Sequence, residues 1–390
     1  MRKIIMLGAV FLSLYSGKVQ AQEQNRAITT ATPFLLIAAD ARAAGIGDQG
    51  VATSADAFSQ QWNPAKYAFS SKQQGVGVNY TPYLSSLVND IFLGNVNYYN
   101  RFNERSAVAA SFRYFSLGEI EFRQGADDEG NIQKPNELTF DVSYALQLSP
   151  VFSMGIAGRY LRSDLRLQNA DNDASAGTSF GVDVAAFYRS EEIAYNSFNG
   201  RWRAGVNISN IGPKMKYDDA GQESFIPTIF RAGVGFDFML DEYNKITPSL
   251  EFAKLLVPTP LDPDVNGDGD ITAEEQNDAN EEYENIGAFG AIFSSWGDAP
   301  DGFSEELQEF TWSLGTEYMY RDVFAFRAGY FNESEEKGAR KFVSLGAGFK
   351  YTIVNIDISY LFSTSAVRSP LEGTLRFGLS FNFGEDYYDR

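Results

Sequence analysis

The residues whose spacing best suits a chemical task are six oxygen donors in one short acidic stretch. They match the calcium-loop pattern D-x-N-x-D-G-x5-E and comprise Asp264, Asn266, Asp268, Asp270, Thr272 and Glu275. Calcium takes about six to eight oxygen ligands, and a glycine at the sixth position of the loop, here Gly269, permits the sharp turn. The stretch predicts one calcium site. The alternative is a solvated acidic loop, which the acidic run after Glu275 favours.

The flanks of this stretch indicate what kind of calcium site it would be. The upstream segment 257–263 reads VPTPLDP, and it cannot be helical because proline lacks the amide hydrogen that a helix interior needs. The downstream segment 273–284 reads AEEQNDANEEYE and could form a helix. A helix on one side only predicts a single loop that calcium stiffens, rather than a pair of sensor sites.

Catalytic chemistry is disfavoured by the residue types that the chain lacks. The sequence contains no histidine and no cysteine, so the Ser/His and Cys/His nucleophile pairs and the usual zinc ligand sets cannot be assembled. We therefore expect no enzymatic activity. The formal net charge of −19 also argues against nucleic acid as a partner, because a polyanion would be repelled.

The N-terminus has the features of a secretory signal peptide. Arg2 and Lys3 precede an apolar run from Ile4 to Tyr15, and small residues end the segment at Ala21. The run is too short to span a bilayer as a helix. We therefore interpret residues 1–21 as a cleaved signal peptide, with Gln22 as the first mature residue.

Alternation of apolar and polar residues is the dominant pattern in the rest of the chain. Between Glu137 and Leu148, one face carries large apolar side chains and the other carries small or polar ones, as strands with one lipid face and one wet face require. Similar runs end the chain at Val354 and Leu375, and the other candidates begin near Gly75, Asp90, Ser106, Val151, Thr178, Arg201, Thr228, Lys245, Phe310, Val323 and Phe342. The sequence thus predicts an all-β fold: a transmembrane antiparallel β-barrel of about fourteen strands, spanning residues 71–390.

The strands of a soluble β-sandwich would also alternate apolar and polar residues. Two observations nevertheless favour a barrel in the outer membrane of a Gram-negative bacterium. The predicted inward faces carry charges that a dry sandwich core would not tolerate, namely Asp141, Asp183, Arg231, Glu317, Arg327 and Asp357. Short and long connections also alternate, as they do in outer-membrane barrels. The short turns are expected in the periplasm with both chain ends, and the longest connection, residues 255–309, is expected to be extracellular.

Residues 22–70 precede the first strand and show no alternation of apolar and polar residues. They are rich in alanine, glycine and short polar residues, which suggests small helices and turns. A barrel of this size has a lumen that could hold them. We therefore expect this N-terminal segment to plug the lumen, and the alternative is a periplasmic tail.

Several blocks of sequence resemble known families. The run from Pro33 to Ala65, which leads to Asn63-Pro64-Ala65, resembles the start of FadL-like barrels. Other blocks are similar to the PorV (LptO) family, the outer-membrane component of the type IX secretion system, and they begin at Ile208, Phe225, Glu251, Phe293 and Phe326. The block DAPDGFSEEL, Asp298 to Leu307, is the most specific of these resemblances. The resemblance covers nearly all of the mature chain.

The PorV resemblance implies a non-enzymatic carrier role. Such a protein associates with the type IX translocon barrel, receives cargo bearing the C-terminal secretion domain, and passes it to the attachment complex with its sortase-like component. Outer-membrane lipid is the remaining partner. The long connection carries apolar residues that suggest a partner-binding surface, namely Phe289, Ile292, Phe293, Trp296 and Phe303. The alternative functions are a FadL-like transporter of small hydrophobic compounds and an open porin.

Overall fold

The computed structural model describes residues 27–85, 87–123, 131–165, 175–217, 223–264, 266, 268, 270–365 and 368–387. The predicted signal peptide, residues 1–21, lies outside these ranges. Three positions of the predicted calcium loop, Val265, Gly267 and Gly269, also lie outside them.

Fourteen strands form a closed antiparallel barrel, and this confirms the predicted fold class. In chain order, β1 to β14 are Lys72–Pro82, Ile91–Arg101, Ser106–Leu117, Asn136–Ser149, Phe152–Asp164, Gly177–Arg189, Asn199–Ile211, Ile229–Met239, Asn244–Leu255, Phe310–Tyr320, Phe324–Asn332, Lys341–Tyr351, Val354–Ser363 and Leu375–Asp386. The ring closes because β14 pairs with β1 and β7 pairs with β8. Two small additions lie outside this ring, a two-residue strand beside β7 and a hairpin that joins Ile120–Phe122 to Asn131–Gln133.

The two faces of each strand have the character that alternation predicts. In β4, Thr139 and Asp141 are fully buried, whereas Phe140 and Val142 are about half exposed on the opposite face. β-branched and aromatic residues suit such half-buried, pleated surfaces. The exposed apolar rows form the lipid-facing wall, and the buried polar rows face the interior of the barrel.

The charges that point inward are buried, and they lie in pairs. Arg159 binds both Asp141 and Asp183, and its Nη2 atom lies 3.1 Å from the Asp183 carboxylate. On the opposite wall, Arg327 Nε lies 2.6 Å from Glu317 Oε2. Pairing is expected, since a buried charge without a partner is strongly destabilising.

The N-terminal segment, residues 27–70, is made of short helices and turns. It contains α1, Ala41–Ala44, and α2, Ser59–Trp62, together with 3-10 turns at Pro33–Leu36 and Pro64–Phe69. Most of its residues from 31 onward are buried. Among the described residues, no helix has both the length and the apolar character required to cross a membrane.

Hydrogen bonds place this segment inside the ring of strands. The inward-facing Glu251 of β9 accepts bonds from the backbone amides of Gly50 and Val51, at 2.8 and 2.9 Å. Asn207 of β7 donates to the carbonyl oxygen of Trp62 at 2.9 Å. The segment therefore lies in the lumen and satisfies polar groups of the wall.

A buried ion pair ties the same segment to another part of the wall. Arg42 lies 2.7 Å from the Asp56 carboxylate within the segment, and 2.9 Å from the Glu317 carboxylate of β10. Because Glu317 also pairs with Arg327 of β11, one network joins the N-terminal segment to two adjacent strands. Loss of Arg42 would leave Asp56 without its ion pair and Glu317 with Arg327 alone, which is destabilising for buried charges.

Glycines in the wall allow the segment to approach the strands closely. A Cβ atom at Gly205 of β7 would lie 2.0 Å from the carbonyl oxygen of Val51. A Cβ atom at Gly329 of β11 would lie 2.1 Å from the carbonyl carbon of Ile46. Backbone of the segment thus occupies the space that any larger residue at these positions would need.

Apolar residues of the segment fill one end of the lumen. Phe34 and Leu35 pack in one buried cluster with the inward-facing Leu93, Phe115 and Leu161. The rings of Phe34 and Phe115 stack with centroids 5.9 Å apart. These three wall residues lie near the ends of β2, β3 and β5 that adjoin the longer connections. That end of the lumen is therefore occupied by the chain itself.

The connections at the two ends of the barrel differ in length. One end has residues 102–105, 150–151, 190–198, 240–243, 321–323 and 352–353, which are two to four residues long except for the nine of 190–198. The other end has residues 83–90, 118–135, 165–176, 212–228, 256–309, 333–340 and 364–374, which are eight residues long or more. We call the two rims the short-turn end and the long-loop end. The long-loop end is expected at the cell surface, because outer-membrane barrels have short periplasmic turns.

A protease test checks this orientation. A cleavage site inserted at Gly267, between the exposed residues Asn266 and Asp268, should be cut by protease added to intact cells, because connection 256–309 is expected outside. An insertion in the short turn 240–243 serves as the control and should stay intact until the outer membrane is permeabilised. The reverse pattern of cleavage would invert the orientation.

Substitution of Gly205 by valine tests whether the N-terminal segment closes the lumen. The new side chain would collide with Val51, so the segment should be displaced and single-channel conductance in planar bilayers should rise. The control is Gly158→Val, since no atom lies within 4 Å of a Cβ at this exposed position. A folded Gly205→Val barrel with the parent conductance would contradict the plug hypothesis, and a variant without residues 27–70 repeats the test if valine prevents folding.

Candidate interaction surface at the long-loop end

The longest connection, residues 256–309, contains three helices. These are α3, Ala273–Asn285, α4, Ala288–Ser294, and α5, Phe303–Gln308. No described residue from 256 to 272 is helical, as the prolines in this segment predict. The connection is thus an extended arm followed by a compact helical unit.

A capping box starts α3. Glu275 Oε2 accepts hydrogen bonds from Thr272 N, at 2.9 Å, and from Thr272 Oγ1, at 2.8 Å, while Glu275 N donates to Thr272 Oγ1 at 3.2 Å. This exchange satisfies two amides that the first helical turn leaves without partners. Glu274 and Glu275 also place negative charge at the helix N-terminus, where the helix dipole favours it.

The six predicted calcium ligands lie in one continuous network. Asp264 and Asn266 both accept a hydrogen bond from Asp268 N, Asp268 accepts one from Asp270 N, and Asn266 Nδ2 donates to Glu275 Oε1 at 2.9 Å. Hydrogen bonds therefore join these residues in one turn that ends at the cap of α3, although no three of its described carboxylates have oxygen atoms within 4.8 Å of one another. Calcium binding by this turn stays a prediction.

The apolar residues of the connection are concentrated in its helical unit. Phe293 is 80% exposed and Phe303 is 76% exposed. Together with Phe289, Trp296 and Leu307 they form what we call the apolar surface. Ile292 is only partly exposed. Leu307 was not among the predicted residues, although it follows Phe303 at the i+4 spacing that places two side chains on one helix face.

The apolar surface is held by packing on its opposite side. Ala291 of α4 is buried in a cluster with Phe225 and Val257. Phe289 and Phe293, four residues apart on the same helix, are left on the free face. Aromatic residues that a fixed scaffold exposes are typical of binding sites rather than of solvent-facing loops.

Trp296 connects this surface to the outer wall of the barrel. Its ring packs against Phe230 of β8 and Phe310 of β10, with centroid distances of 5.3 and 6.2 Å. These two residues belong to the outward-facing rows that continue into Val234 and Leu314, both of which are exposed. The apolar surface therefore begins where the lipid-facing wall of β8 and β10 reaches the long-loop end.

Tyr283 fixes α3 to the extended arm of the connection. Its hydroxyl donates to the carbonyl oxygen of Pro258 at 3.0 Å, and its ring meets Phe225 edge to face. Burial, with a smaller contribution from the negative charge of Asp298, raises the pKa of Tyr283 to about 12. The phenol therefore keeps its proton and its hydrogen bond at neutral pH.

The sequence profile of one protein family matches this chain. The profile, described as "Type IX secretion system protein PorV", covers residues 20–262, which is more than half of the 390 residues. The chain belongs to the PorV family. It is thus an outer-membrane component of a type IX secretion system in a Gram-negative bacterium, as the sequence resemblance predicted.

The matched region ends just before the predicted calcium loop. Asp264 to Glu275 and the apolar surface both lie beyond residue 262. The blocks that begin at Phe293 and Phe326, on which part of the resemblance rested, also lie beyond it. The family assignment therefore rests on the N-terminal segment and the strands from β1 to β9.

Similar solved structures are barrels of about the same size. They include the toluene transporter TodX of Pseudomonas putida, at 11% identity over 87% of this chain and 96% of that one, with a TM-score of 0.46. A FadL homologue of Pseudomonas aeruginosa gives 12% identity, 88% and 98% coverage and a TM-score of 0.43. The monoaromatic hydrocarbon channel CymD gives 14% identity over 90% of this chain and 99% of that one, with a TM-score of 0.45. With TM-scores below 0.5 the likeness is weak, and the strand pairings of this chain themselves define its fold. No curated protein sequence matched.

Proposed function

We propose that this PorV-family protein is the non-enzymatic carrier of its type IX secretion system. In this proposal it binds the translocon barrel, receives cargo through the C-terminal secretion domain, and delivers cargo to the attachment complex with its sortase-like component. The family assignment supports a place in the secretion system. The apolar surface of connection 256–309 supports protein binding at the long-loop end.

The observation that carries this proposal is the exposure of large apolar side chains on an anchored support. Phe293 and Phe303 are the most exposed members of the apolar surface. Contact between these apolar rings and water is unfavourable. Burying an aromatic side chain in a partner is favourable in proportion to the apolar area removed from water. A partner that covers this surface would gain most of its binding energy from a few such anchors.

The alternative is transport of a small hydrophobic compound, as the names of TodX and CymD describe for those proteins. One observation disfavours it here. A compound that crossed the barrel would have to pass Phe34 and Leu35, which pack against Leu93 and Phe115, and the Arg42 ion pairs. Carriage of protein cargo at the rim needs no such path.

We further propose that the loop from Asp264 to Glu275 binds one calcium ion. The six donors supply oxygen ligands in the order that calcium loops use, and their hydrogen bonds already gather them into one turn. The bound ion would offset repulsion among four carboxylates, and it would stiffen the arm that leads to the helical unit.

Substitution of the two most exposed aromatics tests the carrier proposal. Phe293→Ser with Phe303→Ser should leave the barrel folded, because neither side chain is buried, but should weaken capture of the translocon. The loss should be at least about 2 kcal/mol, or roughly thirty-fold in affinity. Co-purification after detergent extraction and secretion of type IX cargo are the measurements.

The matched control is Ile271→Ser, an exposed apolar residue of the same connection that lies outside the helical unit. It should behave like the parent in both measurements. If the double variant also keeps parent levels of co-purification and secretion while uptake of a hydrophobic compound falls, the transporter alternative replaces the carrier.

Glu275→Gln tests the calcium proposal without removing the helix cap. Glutamine can accept the same capping-box hydrogen bonds, but it lacks the carboxylate that calcium binds with both oxygens. Calcium at millimolar concentration should slow proteolysis of the loop in the parent and not in this variant. Glu274→Gln, which removes the adjacent charge, should keep the protection. Equal protection in the parent and in Glu275→Gln would leave only an acidic loop.

A further inference from the structure

A buried cluster of charged side chains lies beneath α5, apart from the predicted calcium loop. It contains the carboxylates of Asp298, Glu305, Glu306 and Glu309 and the ammonium groups of Lys254 and Lys337. Glu305, Glu306 and Glu309 are each less than one tenth exposed, and Lys254 is 1% exposed. All of these residues belong to the long-loop end, outside the lumen network of Arg42 and Glu317.

The two lysines neutralise only part of the acidic charge. Lys337 Nζ lies 2.6 Å from Glu305 and 3.0 Å from Glu309. Lys254 Nζ lies 2.5 Å from Glu309 and 2.7 Å from Glu306 Oε1. Together with Asp298, the residues of these ion pairs give four carboxylates against two ammonium groups, an excess of two negative charges among the described residues. Glu305, Glu306 and Glu309 are buried, whereas Asp298 is partly exposed. Such an excess is costly without a counter-ion.

The carboxylate of Glu306 has an unusual environment within this cluster. Its side chain is 8% exposed, and within the described residues neither carboxylate oxygen accepts a hydrogen bond. The close approach of Lys254 to Oε1 lacks the direction of a hydrogen bond, and Oε2 has no partner there. A buried carboxylate oxygen without a donor is unusual, because buried polar atoms are nearly always satisfied.

Three carboxylates of this cluster have the spacing of metal ligands. Oxygen atoms of Asp298, Glu306 and Glu309 all lie within 4.8 Å of one another. No other set of three carboxylates meets this spacing among the described residues. The hydroxyl of Thr259, which donates to Glu309 Oε1 at 2.5 Å, adds a fourth oxygen beside them. Hard divalent cations prefer such all-oxygen surroundings.

We propose that Asp298, Glu306 and Glu309 bind one divalent cation of the calcium type. The cation would cancel the excess charge and give Glu306 Oε2 its missing partner. It would also join the segment before α5 to the helix that carries Phe303 and Leu307, and so hold one part of the apolar surface in place. The site is separate from the loop Asp264 to Glu275 and does not depend on the carrier role.

Calcium titration of the whole purified protein in detergent tests the proposal. The parent for this experiment carries Glu275→Gln, so that the loop site does not contribute. Isothermal titration should detect one bound calcium ion, and addition of Asp298→Asn should weaken binding by at least about tenfold, as loss of groups around a metal commonly does. The control is Glu282→Gln, an exposed acidic residue of α3, which should leave the affinity unchanged.

A second variant moves the affinity in the opposite direction. Lys254→Met removes the ammonium group that competes for Glu306 and Glu309, and it should tighten calcium binding. Heat-dependent migration on gels verifies that each barrel is folded. The proposal is overturned if the Glu275→Gln protein binds no calcium at millimolar concentration, or if Asp298→Asn and Lys254→Met both bind with the parent affinity.

Discussion

The structure depends on one constraint: a backbone amide or carbonyl inside the bilayer must find its partner within the protein. This chain meets the constraint by closing its sheet, and β14 returns to pair with β1. Closure then assigns two environments to every strand. Rows such as Phe140 and Val142 face lipid, and rows such as Thr139 and Asp141 face inward.

Closure creates a second requirement, because the inward rows enclose polar and charged groups that need partners. The N-terminal segment provides many of them, with the amides of Gly50 and Val51 at Glu251 and the guanidinium of Arg42 at Glu317. Its fit depends on glycine in the wall, as at Gly205. The inward rows of the wall and the N-terminal segment are thus packed against each other as one unit.

The long-loop end carries the largest structure outside the strands, connection 256–309. The helical unit of this longest connection lies at the long-loop ends of β8 and β10, where the ring of Trp296 packs against Phe230 and Phe310. Charge and apolar area are separated within that unit. The carboxylates and lysines lie buried below α5, whereas Phe293 and Phe303 are left exposed. An exposed apolar face above a charged, anchored base is suited to a partner that binds through aromatic contacts.

The sequence by itself determined the features that arise from neighbours along the chain. Period-two alternation identified all fourteen strands, because the apolar and polar faces of a strand alternate along its own sequence. The capping box of Thr272 and Glu275 likewise marks the start of α3 through residues that are close in sequence. Tertiary structure decided what depends on distant contacts. Arg42 and Glu317 form an ion pair although they are 275 residues apart in the sequence. Lys254, near the end of β9, pairs with Glu309, which directly precedes β10. No local pattern encodes such pairs, since the register and packing of the closed barrel bring them together.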